Sequence, residues 1–257
     1  DIELDRKIFA QTEGRRAAFD RVERAAASLI GVTRTAWSYG LPPEGGGTFN
    51  GWWTADSSTV AVHMQAYQYP VGEDFFDFYR IPLLAGRSLT RNDDRTAAVV
   101  SERLASALWP HSSPIGRLVS VRQGSMRLDY VVIGLVRELR FPSVDRTRDA
   151  PQLYVRFDPR STLRGMLMLR TSGVGLALSN IWQRLAEAAP PGVHILGVRA
   201  LEQTYTAEFC EPRAAASLAL VFALVGVLAG GTGMFCLLAV NLKRRMREFG
   251  IMCALGA

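Results

Sequence analysis

Apolar positions recur at two spacings through the chain before the pattern changes character near Ala214. Over Glu13–Ile30, Phe19, Val22, Ala26 and Leu29 fall at helical spacing with arginines and acids on the other faces, and Gly31 ends the run. VTRTAWSYG then alternates with period two, as a half-buried strand does. The Pro- and Gly-rich stretch Leu41–Gly51 predicts an irregular surface loop. Thr59–Tyr69 predicts a strand with Val60, Val62, Met64 and Ala66 on one buried face. Ala97–Ser101 reads as a short buried strand, and Glu102–Trp109 as a helix stopped by Pro110 and Pro114. Leu118–Arg122 and Arg127–Val136 flank Gln123-Gly124-Ser125 as a hairpin. The nearly continuous apolar run Val131–Val136 suits a strand covered on both faces. Strands follow at Gln152–Phe157, Met166–Arg170 and Val193–Val198. Leu176–Ala189 is an amphipathic helix with Leu178, Ile181, Trp182 and Leu185 on one side, and Ala200–Glu211 is helical. Such an order predicts an α+β domain over residues 1–212, built from two subdomains with a strand-rich one inserted over roughly 70–140.

From Ala214 to Val240 the chain carries no charge at all, and Lys243, Arg244, Arg245 and Arg247 follow at once. At ~1.5 Å per residue this run reaches roughly 40 Å, against a hydrocarbon core of about 30 Å. It predicts a transmembrane helix over residues 213–241. Lys and Arg stay on the cytoplasmic side, so residues 1–212 are expected outside the cytoplasm and residues 242–257 inside. Within the span, Gly226 and Gly230 form a GxxxG, which admits close approach of another helix, either a neighbour in a longer chain or a second protomer. The charged start DIELDRKIFAQ has no apolar segment for export. A longer permease-like chain is therefore expected.

Composition sharpens this picture by exclusion. The net charge of +6 is concentrated toward the end, because the tail from Lys243 onward holds four cations and only Glu248 against them. The basic residues elsewhere form no dense stripe, so the pI near 9.6 does not point to nucleic acid. His63, His111 and His194 are far apart in sequence and lack metal-ligand companions. No nucleophile-elbow or P-loop pattern occurs, and the only lysines are Lys7 and Lys243. Asp56, Asp93 and Asp94 read as loop and cap residues. Gly45-Gly46-Gly47 reads as flexible loop, not a phosphate cradle. Trp52-Trp53 reads either as an exposed recognition patch or as half-buried packing. No cofactor, metal or intrinsic enzymatic activity is expected.

The tail RRMREFGIMCALGA resembles the signature of the FtsX-like and MacB-like permease families, roughly R-x-x-E-[IF]-G-I-x-x-A-L-G-A. Upstream, Asp74-Phe75-Phe76, Ile81, Leu83-Leu84, Gly86-Arg87 and Asp94 are similar to a segment of the MacB-like periplasmic core domain. Ala98–Ser101, Pro114-Ile115-Gly116 and Tyr130–Gly134 continue that pattern in order. Phe249 and Cys253 depart from it. The resemblance implies a fragment of a permease subunit of an ABC-type transporter in a bacterial inner membrane. Its external domain would be driven by a separate or fused ABC ATPase, with a second permease protomer as a homodimer partner. Arg247, Glu248, Phe249, Gly250, Ile251, Ala254, Leu255 and Gly256 would begin the segment that couples to the ATPase.

Residue chemistry supports a contact in the same place. Lys243, Arg244 and Arg245 can hold anionic lipid headgroups at about 1 kcal/mol each. Behind them Phe249, Ile251, Met252, Ala254 and Leu255 form a short apolar patch suited to a partner's groove or to lipid. The functional alternative is a single-pass sensor or assembly protein with an external ligand-binding domain.

Overall fold

The computed structural model describes residues 1–40, 47–56, 61–139, 150–172 and 178–254. Side chains are described throughout these except at 47–50, 123, 126, 202–218, 244–245 and 247–254. The elements, in order, begin with β1 (Ile2–Leu4), α1 (Thr12–Ala27), β2 (Val32–Ser38), β3 (Gly47–Ala55), β4 (Ala61–Val71), α2 (Phe75–Tyr79) and β5 (Leu83–Gly86). They continue with β6 (Ala97–Ser101), α3 (Glu102–Leu108), β7 (Leu118–Gln123), β8 (Met126–Val136) and β9 (Gln152–Arg156). The last are β10 (Arg164–Thr171), α4 (Leu178–Ala188), β11 (Val193–Ile195) and α5 (Leu201–Ala254). The chain divides into two units, Asp1–Leu201 and Glu202–Ala257.

In the first unit, β11, β1, β10 and β2 lie side by side, every neighbouring pair antiparallel. With α1 joining β1 to β2 and α4 joining β10 to β11, this is a split β-α-β sheet of the ferredoxin type. Phe19, Val22 and Ala26 of α1 are buried, and so are Ile181 and Leu185 of α4. Ala26, Leu29, Ile181 and Leu185 share one core that holds the two helices together.

Everything between β2 and β10 is an insertion. Its pairings run β4–β3–β7–β8–β6–β9 and return from β9 to β4, so the strands close a ring. Closure leaves those strands no bare edge. The interior is filled by Trp53, Ala66, Ala98, Val100, Val119, Val121, Tyr130, Val132, Leu153 and Val155, with Leu104 and Trp109 from α3 and its C-cap. Two of the strands are covered on both sides. In β6, Ala98 and Val100 point into the ring, while Ala97 and Val99 join a second core with Phe75, Phe76 and Phe78 of α2. In β9, Leu153 and Val155 point inward while Tyr154 packs against α2, with ring centroids 5.1 Å from Phe76.

The ring and the split sheet share packing. The α2 core also takes in Ala36 of β2 and Met168 of β10. Trp37 of β2 stacks on Phe157 at 5.7 Å, and Phe19 of α1 meets Trp37 edge-on at 5.0 Å. Backbone bonds Gly72 N→Trp37 O and Phe157 N→Val71 O, both 2.8 Å, cross the same seam.

Several expectations change here. Gly47–Gly51 belong to β3, not to a loop: Gly47 pairs with Gln68 and Gly51 with Met64, because a ladder needs backbone groups and no side chain. Gly45 and Gly46 lie outside the described residues, as does Val60. Val62 is 37% exposed although its alternation suggests burial, and Trp182 is 48% exposed on the amphipathic α4. The stretch 70–140 takes in β5 through β8 but leaves out β3, nearly all of β4, and β9. Residues 202–212 fall in the unit of α5 and not with the preceding domain.

The motifs Gly86-Arg87 and Val132-Ile133-Gly134 meet in space. Gly86 pairs with Gly134, and Arg87 N donates to Ile133 O at 3.0 Å. Gly86 has φ +74°, and a Cβ on Gly134 would overlap the Arg87 carbonyl. Gly134→Ala should therefore push β5 off β8 and lower stability by about 3 kcal/mol. Urea unfolding followed by tryptophan fluorescence checks this, and a parent-like midpoint would mean that the two backbones separate freely.

Candidate functional site

Two features stand out: the long helix of the second unit and a charged cleft in the first. Within α5, Ala219–Lys243 has a mean hydropathy of 2.2 and is long and apolar enough to cross a membrane. At ~1.5 Å per residue its length is about 37 Å. Phe222, Leu228, Phe235 and Leu238 stand exposed around it. A helix apolar on every side, with nothing covering it, matches a hydrocarbon surrounding better than water. Thr232 Oγ1 donates to the carbonyls of Leu228 and Ala229, at 3.0 and 2.9 Å, and so hides its polarity.

The residues singled out from the sequence are placed as follows. Gly226 and Gly230 sit on the described helix with open space around the positions a Cβ would take. Lys243 closes the apolar segment and is exposed. Arg244, Arg245, Arg247, Glu248, Phe249, Gly250, Ile251 and Ala254 continue the helical backbone, but their side chains lie outside the described set. Leu255 and Gly256 lie outside the described residues altogether.

The cleft, about 350 Å³, lies where α1 faces the loop after β5 and the end of β9. Its centre is Arg91. This guanidinium reaches Glu73 at 2.7 Å, Glu23 at 3.1 Å and Asp20 at 3.7 Å, while Arg156 Nη1 donates to the Arg91 carbonyl at 3.1 Å. Desolvation alone disfavours the charge, but Glu23, Glu73 and Asp20 outweigh it and raise the Arg91 pKa. Asp20 and Glu23 come from α1 and Glu73 from the insertion, so one cation ties both parts. Nothing in this arrangement resembles a nucleophile with its base. Its charges face one another and act as a clasp.

A neighbouring clasp shapes the loop that carries Arg91. Arg87 forks onto both oxygens of Asp93, at 2.8 and 2.6 Å, and Thr90 donates its N–H and hydroxyl to the same carboxylate at 2.8 and 3.0 Å. The Arg87 bonds, helped by Thr90, hold the Asp93 pKa down to about 2 against the opposing effect of burial. Asp56, at φ 48°, plays a comparable part: it accepts from Trp109 Nε1 at 3.0 Å, Arg117 at 2.6 Å and Leu118 N at 3.0 Å. Both aspartates are turn-builders. The sequence offered no sign of the Arg91 clasp, since its partners come from three separate segments.

An α+β domain carrying a strand-ring insertion, followed by an apolar helix of membrane-crossing length, defines the class. A model of the MacB-like periplasmic core domain matches residues 8–191, and the chain belongs to that family. A curated relative, the macrolide export ATP-binding/permease protein MacB of Bartonella quintana (strain Toulouse), is 27% identical over 218 residues, covering 78% of this chain. The matched chain spans about a third of that relative's length, 32%. Among solved structures, the periplasmic region of MacB from Actinobacillus actinomycetemcomitans aligns with TM-score 0.47 and 15% identity, over 71% of this chain and 80% of that one. The extracellular domain of the ABC-type transporter YknZ from Gram-positive bacteria aligns with TM-score 0.45 and 16% identity, over 69% and 88%.

The Asp93 clasp has a pH signature. A carboxylate whose pKa is lowered on folding contributes stability above its unfolded pKa and loses it as pH falls through the folded value. The relevant window runs from about pH 4 down to about 2. Asp93→Asn should cost about 2 kcal/mol at pH 7, and the gap to the parent should close across that window. Thermal unfolding of both proteins between pH 7 and 2 tests this. A gap that persists unchanged to pH 2 would assign the cost to packing instead of charge.

Proposed function

We propose that this chain is the extracytoplasmic core domain, one membrane helix and the first cytoplasmic segment of an ABC-type transporter permease. Its work is to carry ATP-driven motion across the membrane to the external domain, for export or for mechanical control of a partner there. The observation that carries the reading is α5. One unbroken helix starts at Leu201, contains the apolar segment Ala219–Lys243 and extends to Ala254. A continuous helix transmits displacement along its axis, because every turn is braced by its own hydrogen bonds. Family membership supports the transporter setting, and so does the likeness to a protein described as an export ATP-binding/permease protein.

The edge of the split sheet supports it as well. β1 and β11 are hydrogen-bonded neighbours, and Leu196 N donates to Asp1 O at 2.9 Å. The first strand of the unit thus lies beside its last, which agrees with a domain inserted between two membrane helices. The site is a bacterial inner membrane, with residues 1–212 outside the cytoplasm and 242–257 inside. The partners are an ABC ATPase reached through Arg247–Gly256, a second permease protomer packing near Gly226 and Gly230, and anionic lipid at Lys243, Arg244 and Arg245. No part of the chain is assigned a catalytic role.

The test uses the full-length protein. Glu248→Lys reverses a charge at the contact and Leu255→Asp places one against its apolar part, at a cost on the order of 3 kcal/mol, and each should weaken co-purification with the ATPase roughly a hundredfold. The same preparations should keep the circular dichroism of the parent. In whole cells, a cysteine at Ser172→Cys should react with an impermeant maleimide while Cys253 stays protected until the inner membrane is opened. Parent-like ATPase binding by both variants would reduce the tail to a lipid anchor and favour the sensor reading. Outside labelling of Cys253 would reverse the topology.

A further inference from the structure

The tandem Trp52-Trp53 is split by the pleat of β3. Trp53 faces the ring interior with no exposure, its indole N–H donating to Met64 O at 3.2 Å. Trp52 faces outward and remains 45% exposed. Register extends this outward position into a row across four strands: His63 on β4 opposite Trp52, Trp52 opposite Arg122 on β7, and Arg122 opposite Arg127 on β8. His63 meets the Trp52 ring edge-on with centroids 4.9 Å apart. Arg127 pairs with Asp129 at 3.0 Å, whereas Arg122 makes no ion pair among the described residues.

Nothing in the fold calls for this row. Two arginines directly opposite on neighbouring strands repel. A tryptophan left 45% exposed gives up nearly half of the burial energy available to it. Exposed aromatic and arginine side chains in one patch are the composition that protein interfaces favour. We propose that the outer face of β4, β3, β7 and β8 is a docking surface for an extracytoplasmic protein segment of acidic character. Carboxylates of that segment lie on Arg122 and Arg127, and an apolar or aromatic side chain lies on Trp52 and His63. Charge complementarity selects the occupant: Arg122, with no ion-pair partner among the described residues, stands beside the Arg127–Asp129 pair and leaves net positive charge next to the ring of Trp52. This surface belongs to the insertion alone and does not depend on the transport reading.

The test uses the full chain in nanodiscs of zwitterionic lipid and four fluorescein-labelled 12-residue peptides. One is Glu-rich with a central Phe, one Glu-rich without it, one Lys-rich with Phe, and one Ser/Gly with Phe. Fluorescence anisotropy should show the Glu-rich Phe peptide binding at least about tenfold tighter than the other three. Trp52→Ser and the double variant Arg122→Glu/Arg127→Glu should each remove at least about tenfold of that affinity. Arg122→Gln, which preserves size, should lose about threefold and guards against misfolding of the double variant, with circular dichroism run on all. Equal binding of the four peptides, or parent-like binding by the variants, overturns the proposal. So does co-sedimentation with phosphatidylglycerol vesicles in the absence of peptide binding, which would make the row a lipid contact.

Discussion

The first unit depends on two short strands that have no solvent side. β6 and β9 sit next to each other in the ring, and each sends alternate side chains into different cores. A strand with a period of two can serve two cores only if both residue sets are apolar, and AAVVS and QLYVR nearly meet that condition. Ser101, Gln152 and Arg156 are the exceptions, and the satisfaction of Gln152 shows what such a position demands. Fully buried, its side-chain amide donates to Leu139 O at 2.9 Å and accepts from Leu139 N at 3.0 Å and Tyr154 OH at 2.7 Å. Its backbone N–H donates to Ser101 Oγ, which in turn donates to Glu138 at 2.8 Å. Burial raises the pKa of Glu138, with Ser101 and the Arg103 N–H opposing in part. A polar group so placed costs several kcal/mol unless every partner is supplied, and here the chain supplies them.

From this double-sided pair the rest follows. The inner faces close the ring, and the outer faces give α2 something to pack on. The FFDFY helix then carries the ring's outer core to Ala36 and Met168 of the split sheet. Arg170 adds a cation over the Phe78 ring at 5.3 Å, and its guanidinium also donates to the Phe78 carbonyl. Inserted domains often hang on flexible linkers. This one is joined by shared aromatic packing, the Arg91 clasp and strand pairing at Ser38 and Val71.

The parts legible from sequence were those encoded within one segment. α1, β2, β6, α3 and the β7–β8 hairpin declare themselves through spacing, caps and a Gly124 turn at φ +60°. β1 was missed because three residues carry no period, and because its partners β10 and β11 lie at the other end of the unit. β3 was missed because its glycines read as loop, and the insertion's true extent could not be seen without ring closure. Trp52 and Trp53 show the limit sharply: adjacent and identical, they differ only in which side of the pleat each takes. The apolar helix was the easiest element of all, since absence of charge over a long run is a property of composition and not of partners. The coupling residues past Lys243 rest on a tail pattern whose side chains lie outside the described set.

Rigidity of the first unit bears on how the proposed motion would be used. A displacement delivered through α5 does work outside the membrane only if the domain it reaches does not absorb it. Two lobes hinged on a loop would dissipate a push as bending between them. Lobes that share buried aromatics resist, because close-packed interiors deform little and separating them exposes apolar surface at about 25 cal/mol per Å². The Trp37–Phe157 stack and the edge-on Phe19 lie at that seam, with Gly165 beneath them so tightly placed that a Cβ there would sit 3.0 Å from both Phe157 and Phe19. Shared packing of this kind lets the whole first unit answer the proposed motion as one body.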